Sequence, residues 1–249
     1  MSESPTKPAK YDKTKTILLG FLALVIALGE YTEAVSLINE ARENILILFT
    51  NDLEYETLGK IHVGNTVAYV EGLVGSPQVS RAIDEDTVAN YFYHEKYFLT
   101  LFYREDRIAA YVVVPLIEGF QLPVLETDSE TFELSEFTYS DYPANPTHYV
   151  IDHSKTSSYY MEILDSGRSG LFVNTYIGTT TYGTGDHPKA IADLYEKEVH
   201  GSDEEITTLQ ASLRSNTRPN LFGQGSISLE LIEKSLLTAA EFKSYFGTL

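Results

Sequence analysis

The residues with the most chemical potential in this 249-residue chain are gathered in one short stretch, "GTTTYGTGDHPK", residues 178 to 189. Gly178, Gly183 and Gly185 let backbone amides come close to an anion, while Tyr182, Asp186 and His187 add a phenol, a carboxylate and an imidazole. A second set, Asp152-His153-Ser154, holds the residue types of a hydrolase relay. Each set has a plainer reading beside it. No Gly-Lys-Ser/Thr accompanies the glycines, so a strand ending in a glycine-rich turn accounts for them. Adjacent Asp and His on a strand point to opposite faces, which places them poorly for a proton relay. The chain has neither a Gly-x-Ser-x-Gly elbow nor a His-Glu-x-x-His helix, and surface or structural histidine is the expectation. A hydrolase or small-ligand site around Tyr182, Asp186, His187 and Asp152 is kept as the alternative.

Other chemistry is closed off by composition. There is no cysteine, which removes thiolate zinc sites, iron-sulfur clusters and cysteine nucleophiles. The acidic triplets Asp84-Glu85-Asp86 and Asp203-Glu204-Glu205 lack the alternating oxygen ligands and central glycine of a calcium loop. They read as solvated charge at a loop and at a helix start, and no metal or cofactor is expected. Eighteen tyrosines with no tryptophan are a different signal, because tyrosine offers a rigid face and a polar tip to a partner. Tyr91, Tyr93, Tyr97, Tyr103, Tyr182, Asp186 and His187 are therefore the candidate binding residues, although aromatic-rich strands are also ordinary sheet formers.

Elements must position these groups. "VANYFYHEKYFLTLFYREDRIAAYVVVPL" predicts three strands, 88–93, 97–103 and 108–114, parted by two polar turns. Along the second, Tyr97, Leu99, Leu101 and Tyr103 point one way, and Phe98, Thr100 and Phe102 the other. Just before them, "GNTVAYVEGLVGSP" predicts a short helix over 66–74, capped by Asn65 or Thr66 and stopped by Gly75 and Pro77. That helix and a preceding stalk can cover one strand face. The other face must meet the second half of the chain or a partner. Residues 126–142, "ETDSETFELSEFTYSDY", read as a solvated linker or edge segment. Further strands are expected at 147–152, 158–164 and 171–181, and capping boxes at Ser202/Glu205 and Thr238/Glu241 predict helices near 203–215 and 239–246. The fold class is α+β, with a small helical layer on an antiparallel sheet and C-terminal helices.

Gly64, Thr66, Val70, Val74, Gly75 and Pro77, with the aromatic strands and an Asp106-x-Ile108 turn, resemble the SmpA/OmlA (BamE-like) pattern over residues 60–115. The resemblance implies an exported protein that binds or scaffolds other proteins through its sheet and loops, without catalysis or cofactor. That family typically carries a lipid on cysteine, which this chain does not have. The remainder resembles bacterial single-pass membrane proteins with tyrosine-rich strands.

At the N-terminus, an uncharged run from Ile17 to Gly29 follows Lys7, Lys10, Lys13 and Lys15. Thr14 to Glu33 is long enough to span a bilayer, and the lysines predict the N-terminus inside. A cleaved signal peptide and a soluble core helix are the rival readings. Ala34, Leu37, Ile38, Ala41, Ile45 and Leu48 keep helical spacing beyond the run, which favours an anchor continuing into a stalk. The expected order is a basic terminus at 1–13, an anchor at 14–33, a stalk helix at 34–59, a BamE-like module at 60–125 and a second α+β part at 126–249.

The formal charge is -18 overall. Four lysines against Glu3 and Asp12 give residues 1–16 a net of +2, so residues 17–249 carry -20. Such a body repels phosphate backbones, and no nucleic-acid partner is expected. The leading expectation is a protein-binding scaffold, accessory subunit or sensor in the bacterial cytoplasmic membrane, N-terminus inside and body outside. A cytoplasm-facing sensor in a defence or stress system is a further alternative.

Overall fold

The computed structural model describes residues 51–126, 131–164, 173–185 and 189–247. The chain divides into two compact units, Met1–Leu53 and Glu54–Leu249, and nearly all the described residues belong to the second. The expected basic terminus, the anchor at 14–33 and the stalk up to residue 50 lie outside the described residues. Among the described residues no helix is long and apolar enough to cross a membrane.

Among the described residues two helices come first, α1 (Asp52–Gly59) and α2 (Val67–Val74), then four strands, β1 (Val79–Ala82), β2 (Thr87–Tyr93), β3 (Tyr97–Arg104) and β4 (Arg107–Pro115). A short ribbon of β5 (Pro123–Glu126) and β6 (Thr131–Glu133) separates these from β7 (Pro146–His153), β8 (Ser158–Leu164) and β9 (Asn174–Thr180). The chain ends with α3 (Lys189–His200), α4 (Asp203–Asn216), β10 (Leu221–Gly225), α5 (Leu229–Ser235) and α6 (Ala239–Phe246). Eight strands form one sheet in the order β1-β2-β3-β4-β10-β9-β8-β7, and every pairing is antiparallel. Two meanders, β1 to β4 and β7 to β9, are thus joined by β10, which arrives last and pairs with β4 and β9.

The alternation along β3 sets the layers. Tyr97, Leu99, Leu101 and Tyr103 join a core with Leu58, Val70, Phe120, Ile191 and Leu213, so α1 to α4 and the segment after β4 cover that face. Phe98 and Phe102 turn the other way, into a core with Tyr91, Tyr182, Leu229, Ile232 and Phe242. The face left open by the sequence is therefore met by the second half of the chain, through α5 and α6. Phe242 packs at 5.1 Å from Phe98 and stacks on Tyr182 at 5.0 Å. Each such ring pair adds about 0.5–1.5 kcal/mol to the burial itself.

Local signals behave as their chemistry dictates. The Thr66 hydroxyl accepts from the Tyr69 N–H at the start of α2. Gly75 ends that helix at φ 84 and ψ -169, a backbone region that side chains with a Cβ avoid. Both capping boxes form, at Ser202/Glu205 and Thr238/Glu241. Within 126–142, expected as a solvated linker or edge segment, residues 131–142 depart from a solvated course. Phe132, Leu134, Phe137, Tyr139 and Tyr142 are buried, with Phe132 5.7 Å from Phe137 and 5.8 Å from Tyr142. Acids alternate with rings there, and the rings turn inward because burying them outweighs anything the acids gain by extending the chain.

Candidate functional site

Four of the five tyrosines named as candidate binding residues lie in the two cores. Tyr91 is fully buried, and Tyr97, Tyr103 and Tyr182 are each 5% exposed. Their rings fill the two cores, and the hydroxyls of Tyr91 and of the neighbouring Tyr176 and Tyr159 pin later segments to the sheet. Tyr91 donates to the Ser235 carbonyl at 2.8 Å, Tyr176 to the Ile227 carbonyl at 2.5 Å, and Tyr159 to Glu233 Oε1 at 2.6 Å. Burial pushes the Tyr91 and Tyr97 phenols up to about 12 and Tyr182 higher. Tyr93 is half-buried and stacks on Phe246 at 5.6 Å. Asp152 is half-buried on β7, and His153 Nδ1 lies 3.0 Å from Ser158 Oγ across the hairpin. Asp186 and His187 lie outside the described residues. Among the described residues, no three His, Asp or Glu side chains are grouped to hold a metal.

The glycine-rich turn has a different neighbour. β4 ends at Pro115, β9 ends at Thr180 and β10 starts at Leu221, so the three central strands finish at the same end of the sheet. Buried Asn220 ties them together there. Its Oδ1 accepts from the Thr180 N–H at 2.8 Å, and its Nδ2 donates to the carbonyls of Thr180 at 3.1 Å and Thr184 at 2.8 Å. A Cβ on Gly183 would sit 2.7 Å from Asn220 Nδ2, so the glycine is required by this staple. The Thr184 N–H is also engaged, to the Pro115 carbonyl at 2.9 Å.

Beyond the staple opens a cleft of about 790 Å³, bordered by residues 117–121, by Ser135, Glu136 and Thr138, and by residues 184–185 and 215–218. Two of these segments are zipped into one wall. Ser135 N donates to the Pro219 carbonyl at 3.1 Å, Tyr139 N to that of Thr217 at 3.2 Å, and Ser140 N to that of Arg214 at 3.1 Å. Ser135 adopts φ 73, a conformation uncommon for a residue with a Cβ. Within the wall, the hydroxyls of Thr217 and Ser135 are buried with no hydrogen-bond partner among the described residues, and Thr217 is only 4% exposed. A buried hydroxyl that stays unmet costs about 1–3 kcal/mol, so each of these two groups gains from any water or ligand atom that reaches it.

Charge at the cleft is mostly acidic. Glu136 accepts from Gln121 Nε2 at 2.6 Å and faces Arg218 Nη1 at 3.7 Å. Behind it, the Thr138 N–H and hydroxyl donate to Asp141 and hold that carboxyl below the usual range, with Arg218 adding to the effect.

A buried network fixes the wall from beneath. Glu162, fully buried on β8, pairs with Arg214 Nε of α4 at 3.0 Å and accepts from the Tyr160 hydroxyl at 2.5 Å. Arg214 also donates to the Tyr139 carbonyl at 3.1 Å, and Gln210 to the Tyr160 hydroxyl at 3.2 Å. Burial raises the Glu162 carboxyl above its ordinary value, although Tyr160 and Arg214 oppose this. Arg214 precedes Ser215, so the pair anchors the end of α4 where it borders the cleft.

Of the residues singled out from sequence, only the turn itself reaches this site, through Thr184 and Gly185. Thr217, Ser135, Arg214 and Glu162 belong to no motif and escape a reading by motifs. A signal exists for the last: in "SYYMEIL" the alternation puts Glu162 on the same side as Tyr160 and Leu164, a charge where an apolar residue belongs. Compared with protein-family models, with curated proteins and with solved structures, the chain has no match in any of the three.

Proposed function

We propose that this protein is a non-catalytic binding module, anchored in the membrane through residues 14–33 with an extracytoplasmic acidic body, and that a segment of another protein enters the cleft beside β4, β10 and β9. The observation that carries it is the cleft's construction: a wall zipped by backbone hydrogen bonds, stapled by Asn220 and holding an unpartnered Thr217 hydroxyl. Such preorganisation serves binding, because little order has to be created when the partner arrives. The resemblance of residues 60–115 to BamE-like modules and the lysine-flanked apolar run point the same way.

The test is site-specific photocrosslinking in cells on the full-length protein. A photoreactive residue at exposed Ser215 should give one adduct of fixed mass, and one at Lys155, on the β7–β8 turn away from the cleft lining, should not. Thr217→Val should reduce the Ser215 adduct. Equal adducts from both positions, or none from Ser215, reject the proposal. Protease protection of a C-terminal tag in intact cells tests the orientation separately.

A second reading has its own observation. Thr184 and Gly185 belong to the turn that sequence chemistry singled out, and they border the same cleft, so a free small polar ligand is the alternative occupant.

A further inference from the structure

We infer that the cleft selects a cationic hydrogen-bond donor, the ammonium or guanidinium group of a basic side chain on the partner segment. This rests on the cleft being the binding site. Two amides of the glycine-rich turn are not offered to a ligand, Thr180 N–H being spent on Asn220 and Thr184 N–H on Pro115. Arg218, the one cation among the lining residues, already faces Glu136 at 3.7 Å. Glu118 borders the cleft with no ion-pair partner among the described residues.

The end of α4 contributes in the same sense. A helix of 14 residues presents the negative end of its dipole at its C-terminus. The carbonyls of Ala211, Ser212, Leu213 and Arg214 are taken by Ser215, Asn216, Thr217 and Ser140. Those of Ser215 and Asn216, at the border of the cleft, have no partner among the described residues. They can accept, and the hydroxyls of Thr217 and Ser135 in the same wall are buried without a partner among the described residues. An ammonium carries three donors and no acceptor, and a guanidinium five, which is the complement of this surface. The chain's net charge of -18 further raises the local concentration of cations.

Calorimetric titration of the full-length protein tests this with trilysine, spermidine, maltotriose and inorganic phosphate as probes. Trilysine should bind, and Thr217→Val, which changes no charge, should weaken it at least about tenfold, the scale of one charge-assisted hydrogen bond. Thr217→Ser keeps the hydroxyl and should bind like the parent, which separates recognition from misfolding. Glu118→Gln should weaken binding more than Glu204→Gln, an equal charge change at the far end of α4. Spermidine binding as tightly as trilysine supports the cationic class and assigns a free polyamine as its source. If Thr217→Val has no effect and both Glu variants act alike, the attraction is unspecific and the inference falls. Maltotriose or phosphate binding in place of trilysine overturns the ligand class while leaving the cleft as a site, and no binding by any probe removes the cleft reading itself.

Discussion

Glu162 sits on a strand face with Tyr160 and Leu164, fully buried, and draws in Arg214, Tyr160 and Gln210 around it. A buried ion pair of this kind gives little net stability, because desolvation offsets most of the attraction, but breaking it leaves a charge stranded. Its value here is positional: it fixes the residue next to the cleft wall. The carboxyl is raised above its ordinary 4.5 by burial, so folding takes up a proton at this site. The stabilising contribution is whole below 4.5 and is lost as pH rises through the raised value. Melting temperatures of parent and Glu162→Gln, compared across pH, should therefore diverge most in the parent's favour in acid, with the advantage shrinking toward neutral pH. A difference that stays constant over that range would show that Glu162 does not titrate there.

At the scale of elements, α6 shows how a short helix is held. Its N-terminus is fixed by Thr238, whose hydroxyl accepts from Glu241 N–H at 3.2 Å while Glu241 accepts from Thr238 N–H at 2.8 Å. Those bonds also hold the Glu241 carboxyl below its ordinary value, so this contribution is present at neutral pH and lost as pH falls through the lowered value. Thr238→Ala should cost about 1 kcal/mol, or about 2–4 °C in melting temperature. Thermal unfolding at neutral pH and again in acid checks both points: the penalty should be smaller in acid. An unchanged melting temperature at neutral pH would mean that the ring contacts of Phe242 alone hold α6 in place.

Over the whole molecule, the sheet depends on what arrives last. Without α5 and α6, Phe98, Phe102 and Tyr176 would face water on the side they now bury. A chain ending at Ser228 should bind a hydrophobic dye such as ANS and lose its near-ultraviolet tyrosine signal while keeping far-ultraviolet ellipticity, the behaviour of a loosely packed state. Retention of a sharp cooperative transition in that chain would contradict a role for these helices in completing the core. The sequence by itself determined the local elements: α2 with its cap and stop, β2 to β4 with both faces apolar, and the capping boxes of α4 and α6. These arise from side-chain periodicity and from bonds closed within a few residues, which any chain with the same letters makes. It left β10 out of sight, because "LFGQG" carries two glycines that weaken any strand signal; they are needed where Ala110 and Val112 come too close for a Cβ. It left open whether the tyrosines serve a surface or a core, since alternation tells which residues share a face but not what covers it. The cleft was decided by tertiary structure alone. Its walls come from four segments spread between residues 117 and 218, and only the late insertion of β10 between β4 and β9 brings their ends together.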